Sequence, residues 1–159
     1  MNRSNAWLAG IALTGVAAVG AALVSQHLYG MQPCPWCILQ RLIFLAISAA
    51  ATLALALSGL ARRLTLGVLV VLTGCGAAAA LWQHFVSASA ASCNLTLADR
   101  ILSGLKLDET LPEVFMATAS CSDAKVNLLG VPYEAWSLSL FALIGTIGVR
   151  LLLPSRRMV

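Results

Sequence analysis

Five cysteines carry most of the chemistry that this sequence could perform: Cys34, Cys37, Cys75, Cys93 and Cys121. Cys34-Pro35-Trp36-Cys37 is a C-x-x-C, placed where Pro33 ends a short polar connector and a long apolar stretch begins. A proline is tolerated in the first turn of a helix, because its missing N–H would have had no intrahelical partner. That start puts the Cys34 sulfur beside the unsatisfied N–H groups and the positive dipole end of the helix, where a thiolate is stabilised and cycles readily between dithiol and disulfide. The same spacing could supply half of a zinc site. Zinc would need two further ligands, which Cys93 and Cys121 could provide, although they are far apart in sequence and form no second close-spaced pair.

Cys93 and Cys121 could equally close a structural disulfide, as cysteine pairs in exported proteins commonly do. Set beside a C-x-x-C, a second pair also permits electrons to pass by thiol–disulfide exchange, which needs only access of a thiolate to the next sulfur. Cys75, between Gly74 and Gly76 in an uncharged run, reads as a small packing residue, buried and inert. Arg41 follows Cys37 by four residues, so the two share one helix face. An ionisable residue within an apolar span is a candidate for function, against the alternative of an arginine reaching back to the lipid headgroups. His84 and His27, each after an apolar run, are weaker candidates, and Trp36 and Trp82 read as anchors at the membrane interface.

These residues must be positioned by elements suited to lipid. Hydrophobic residues make up 60% of the chain and charged residues only 10%, against about 25% charged in an ordinary soluble domain. Four apolar stretches, 7–25, 38–60, 64–82 and 135–153, match the length of about 20 residues that a membrane-spanning helix requires. The first is longer and more continuous than the apolar core of a cleaved signal peptide, so it is expected to remain as a span. Alanine, glycine, serine and threonine recur within the spans, as suits close approach of helices in lipid. The expected fold is therefore a single all-α membrane domain, 1–159: a four-transmembrane-helix bundle with a long loop at 83–134.

Charge sets the expected orientation. Arg3, the Arg62-Arg63 pair, and Arg150 with Arg156 and Arg157 fall on one side of a four-span chain, which the positive-inside rule makes cytoplasmic together with both termini. All six acidic residues lie in the 83–134 loop, which is then outside. A net charge of +4 is accounted for by these arginines and calls for no nucleic acid. Within the loop, Leu97, Ile101, Leu102 and Leu105 recur at near-helical spacing, predicting a short amphipathic helix that lies on the membrane or packs on its own loop. Leu111-Pro112-Glu113 and Gly130-Val131-Pro132 read as turns. Phosphate-binding, zinc-protease and serine-hydrolase motifs do not occur.

The run Pro33-Cys34-Pro35-Trp36-Cys37-Ile38-Leu39-Gln40-Arg41 resembles the P-C-x-x-C-x-x-x-R signature of the bacterial disulfide bond formation protein B (DsbB) family. The stretch from Cys121 to Gly130, followed by Pro132 and Trp136, is similar to that family's passage into its last helix, and the resemblance spans nearly the whole chain. The dipeptide Pro35-Trp36 differs from the aliphatic pair common there. The resemblance implies an inner-membrane thiol:quinone oxidoreductase, with its redox sites on the periplasmic side, that reoxidises a periplasmic dithiol oxidase of the DsbA type. It implies that Cys93 forms the mixed disulfide with that partner and that Cys121 is its loop mate. Cys34 and Cys37 then reoxidise the loop pair, with Cys37 nearest a ubiquinone or menaquinone. It also assigns Arg41, and by a looser match His84, to the quinone site, and it implies no metal.

Overall fold

A computed structural model describes residues 3–87, 96–120, 127–128 and 130–153. Four helices are long and apolar enough to cross a membrane: α1 (Arg3–Tyr29), α2 (Pro35–Ala56), α3 (Gly59–Trp82) and, last in the chain, α7 (Tyr133–Leu152). Their order is up, down, up, down, with α1 on α2, α2 on α3 and α3 on α7, while α1 and α7 barely touch. The protein is an all-α four-helix membrane bundle.

The helix ends depart from the expected 7–25, 38–60, 64–82 and 135–153 for local reasons. α1 runs on to Tyr29 and stops at Gly30, whose φ of +65° most side chains avoid. α2 starts at Pro35 because Cys34 caps it, the Cys37 N–H donating to Cys34 Sγ at 3.4 Å. It ends at Ala56, and Gly59, at φ +58°, reverses the chain into α3. Beyond Trp82, α3 continues as a π-helical turn, Gln83–Ser87.

Small residues set the packing. A side chain on Gly15 would collide with Ser48 and with the Phe44 carbonyl, so α1 and α2 approach to backbone distance there. Gly76 receives the Phe141 ring of α7, which also stacks on Phe44 of α2 at 4.1 Å and 8°. Leu13, Val16, Leu64, Val68, Leu143 and Val149 point outward, as lipid contact requires. Cys75 is also exposed on α3, so the expectation of a buried packing residue is corrected: Gly76, one residue on, is the one turned to the Phe141 ring, and Cys75 falls on the outer face.

Between α3 and α7 lie three short helices, α4 (Leu97–Gly104), α5 (Leu107–Thr110) and α6 (Pro112–Phe115), and a two-residue antiparallel pair, β1 (Asn127–Leu128) with β2 (Val131–Pro132), turned at Gly130. α4 opens with a capping box between Thr96 and Asp99. It is the expected amphipathic helix. Leu102 packs with Ile38 and Phe115, and Ala98 joins the main core, while Leu97 and Leu105 stay exposed. Protein rather than lipid is thus the partner of its buried side. Pro112 opens α6 where a turn was expected, in keeping with proline at a first helical position.

Candidate functional site

The N-terminal end of α2 brings its two cysteines together: Cys34 Sγ and Cys37 Sγ are 2.9 Å apart. Cys34 is fully buried, and Cys37 faces a cavity of about 230 Å³ that fills the gap between α1, α2 and α7. Apolar wall comes from Ala18, Val19 and Ala22 of α1, Phe44 of α2 and Leu140 of α7, and polar groups come from Cys37, Gln40, Arg41, Gln83, Tyr133 and Glu134. An engineered cavity of about 150 Å³ holds benzene, so this one has room for a single substituted ring. Its mixture of apolar wall and a few convergent polar groups is typical of small-molecule sites.

Arg41 sits one turn below Cys37 on the same face, as the i, i+4 spacing requires. It is only 6% exposed. Its Nη1 donates to Gln26 Oε1 at 2.8 Å and to the Val114 carbonyl at 3.0 Å, and Nη2 reaches the Ala22 carbonyl at 3.5 Å. The guanidinium is therefore held by protein acceptors and does not reach out to headgroups. A guanidinium has five N–H donors, so these three acceptors leave capacity for a ligand in the cavity.

Two buried glutamines that sequence reasoning missed complete the sulfur's surroundings. Gln83 Nε2 donates to Cys37 Sγ at 3.2 Å, and Gln40 Nε2 donates to Gln83 Oε1 at 2.7 Å. With its oxygen occupied by Gln40, the Gln83 amide presents its N–H to the sulfur. The only signal in the sequence was Gln40 standing next to Arg41.

His84, adjacent to Gln83 in the π turn, does not line the cavity. It touches the wall through Glu134, His84 Nδ1 lying 2.8 Å from Glu134 Oε1. His27 contacts the Leu23 carbonyl at 2.9 Å and Glu113 at 3.1 Å. Trp36 is corrected from an interface anchor: it is 7% exposed, within the core, with its indole N–H buried and without a partner among the described residues, and 6.2 Å from the half-exposed Trp82 ring.

Cys93 and Cys121 lie outside the described residues. The segment leading to Cys121 is tied to the C-x-x-C mouth: the Thr118 and Ala119 N–H groups donate to the Pro33 carbonyl at 3.1 and 3.3 Å, and the Thr118 hydroxyl donates to Gln32. Among the described residues no group of three or more Cys, His, Asp or Glu side chains is placed to hold a metal ion.

Fold and site define a class: a four-helix membrane protein with a dithiol at one end of the bundle, opening on an apolar cavity. The family model described as "Disulfide bond formation protein DsbB" matches residues 3–151. Disulfide bond formation protein B of Ralstonia nicotianae is 36% identical over 137 residues, 85% of each chain. Disulfide bond formation protein B 1 of Pseudomonas entomophila is 32% identical over 145 residues, 90% of this chain and 86% of that one. The namesake from Pseudomonas savastanoi pv. phaseolicola is 29% identical over 159 residues, 99% of this chain and 94% of the relative. The chain belongs to the DsbB family of disulfide bond formation proteins, and its activity is that of a disulfide-forming oxidoreductase.

Proposed function

We propose that this chain is a thiol:quinone oxidoreductase of the bacterial inner membrane, acting as one domain to reoxidise a periplasmic DsbA-type dithiol oxidase. The observation that carries this reading is that Cys37 and Arg41 face one apolar cavity while Cys34 Sγ stands 2.9 Å behind the Cys37 sulfur. A thiolate, a fixed cation and a ring-sized apolar space are the parts required to deliver electrons to a lipid-soluble acceptor.

In this mechanism a partner thiolate attacks Cys93 of a Cys93–Cys121 disulfide, and the partner's second thiol then displaces Cys93, leaving the partner oxidised and the loop pair reduced. The loop dithiol in turn reduces a Cys34–Cys37 disulfide. The ties of Thr118 and Ala119 to Pro33 support this exchange. Cys121 follows Ala119 by two residues in the sequence. The quinone, the accepting substrate, takes two electrons and two protons to become the quinol as Cys34 and Cys37 return to a disulfide. Arg41 would hold one quinone carbonyl by hydrogen bond and offset negative charge where hydrocarbon limits screening. Gln83 would steady the Cys37 thiolate.

The test uses purified full-length chain in lipid nanodiscs with a reduced DsbA-type oxidase and a short-chain ubiquinone. The expected result is loss of one quinone for each pair of partner thiols oxidised. Oxidation of the partner without quinone loss, or no oxidation by folded protein, would overturn the reading.

A further inference from the structure

Reduction of a quinone requires protons as well as electrons, so a quinone in the cavity needs a proton donor within its reach. The cavity wall holds one carboxylate among the described residues, that of Glu134 in the first turn of α7. Its side chain is 12% exposed, and its Oε1 is 2.8 Å from Nδ1 of His84, whose side chain is 46% exposed. The π turn at the end of α3 carries both contacts: Gln83 meets the Cys37 sulfur, and the next residue, His84, meets Glu134 from the outer side. Phe85 stands edge-on to the imidazole at 4.9 Å and 85°, steadying the ring. The pair thus forms a hydrogen-bonded path from solvent to the cavity wall. The other titratable groups lining the same cavity are Cys37, Arg41 and Tyr133. Arg41 does not deprotonate in proteins, and of all these groups only Glu134 is hydrogen-bonded, among the described residues, to a second titratable group that reaches solvent.

We propose that Glu134 and His84 are the proton entry of this site, Glu134 giving the proton of its carboxyl to a quinone oxygen as that oxygen becomes a hydroxyl, and His84 restoring it from water. The inference rests on the thiol:quinone reading. His84 takes a proton from solvent at Nε2 and passes the one on Nδ1 to Glu134 Oε1. The electrons come from the dithiol as the Cys34–Cys37 bond forms; the second quinone oxygen takes the proton of Cys37, which faces the cavity, and the proton of Cys34 leaves to solvent, so the relay draws in one proton for each one released. Over the cycle the dithiol loses two electrons and two protons and the quinone gains as many. His84 therefore acts one residue removed from the ligand, as a positioning and relay group.

A carboxylate in the first turn of a helix also favours the helix dipole, and a His–Glu bond ties α3 to α7, so a merely structural role would change stability alone. Glu134→Gln keeps shape and hydrogen bonding but removes the transferable proton. With short-chain ubiquinone and reduced partner, it is expected to lower kcat at least about tenfold while leaving quinone KM within about twofold, and to enlarge the solvent deuterium isotope effect on kcat. Glu134→Asp should recover part of the rate, and added imidazole should partly restore His84→Ala. Independently of turnover, infrared difference spectra between oxidised and dithiothreitol-reduced protein should contain a carboxyl band that is lost in Glu134→Gln. Wild-type kcat and isotope effect in folded Glu134→Gln would overturn the relay while leaving the thiol:quinone reading intact. Should Glu134→Gln fail to fold, an undiminished rate in His84→Ala would overturn it instead. Folded wild-type protein that cannot reduce the quinone would overturn both.

Discussion

The Arg41 guanidinium donates to the Val114 carbonyl at 3.0 Å, so a side chain lining the cavity also fastens the segment outside the spans that leads toward Cys121. His27 with Glu113, and Thr118 and Ala119 with Pro33, fasten the same segment at neighbouring points. In the proposed reaction the loop that meets the partner and the pocket that meets the quinone share one arginine.

Arg41→Met should therefore impair two steps. It removes a donor from the cavity and leaves Gln26 and the Val114 carbonyl without their partner, a loss of roughly 1–3 kcal/mol for a buried group. The expected outcome is a fall of at least about tenfold in kcat/KM for quinone, equivalent to about 1.4 kcal/mol, with faster tryptic cleavage after Lys106 as the loop loosens. Arg41→Lys should be milder in both, since it keeps a charge but not the planar fork. Steady-state kinetics and limited proteolysis on the same preparations check this. Unchanged quinone kinetics in folded Arg41→Met protein would confine Arg41 to holding the loop.

The two glutamines make a second prediction. Gln83→Leu removes the N–H at the Cys37 sulfur, and Gln40→Leu frees the Gln83 amide to turn its oxygen that way. One hydrogen bond contributes about 1 kcal/mol, roughly a fivefold effect. Alkylation of reduced Cys37 by iodoacetamide at fixed pH should slow by about that factor in Gln83→Leu, and by less in Gln40→Leu. Equal rates in all three proteins would show that the amide does not stabilise the thiolate.

The spans and the C-x-x-C were legible because both are local signals: apolar length for the helices, and a proline-started helix for Cys34 and Cys37. The i, i+4 relation of Cys37 and Arg41 followed from the same helix. What could not be read were the pairs made by packing. Gln40 and Gln83 are 43 residues apart, and His84 and Glu134 are 50 apart. Each pair meets only because α3 lies against both α2 and α7. Trp36 was misplaced for the related reason that an aromatic at the head of a span looks like an interface anchor until its neighbours are known. Cys75 was misplaced because an uncharged helix gives no sign of which face meets lipid.

The cysteines should divide cleanly. Exchange between two disulfides uses all four outer sulfurs, so Ser replacement of Cys34, Cys37, Cys93 or Cys121 should each abolish steady-state oxidation of the partner. Cys75→Ser, on the exposed face of α3, should keep the rate within about twofold, as is usual for surface changes. Full activity in Cys93→Ser would reduce the loop pair to a structural role.

Orientation is the last prediction, and it rests on charge at the two ends of the bundle. Arg3 at the start of α1, Arg62 and Arg63 near the start of α3, and Arg150 near the end of α7 all belong to one end of an up-down-up-down bundle. Arg62 there bonds Asn5 at 2.9 Å and Ser4 at 3.2 Å, joining the starts of α1 and α3. The acidic residues Asp99, Asp108, Glu109, Glu113 and Glu134 belong to the other end, with the C-x-x-C. The transfer machinery retains lysine- and arginine-rich ends in the cytoplasm, so the dithiol end should face the periplasm, where disulfides form and persist. In a variant lacking the native cysteines, Ser103→Cys in α4 should react in intact cells with a maleimide that cannot cross the inner membrane. Ser58→Cys, at the turn between α2 and α3, should react only after the cells are broken open. A phosphatase active only in the periplasm should likewise work when inserted between Asp99 and Glu113, and fail when fused after Arg157. The reverse labelling pattern would invert the bundle, putting the dithiol in a reducing compartment and removing the basis for a disulfide-generating role there.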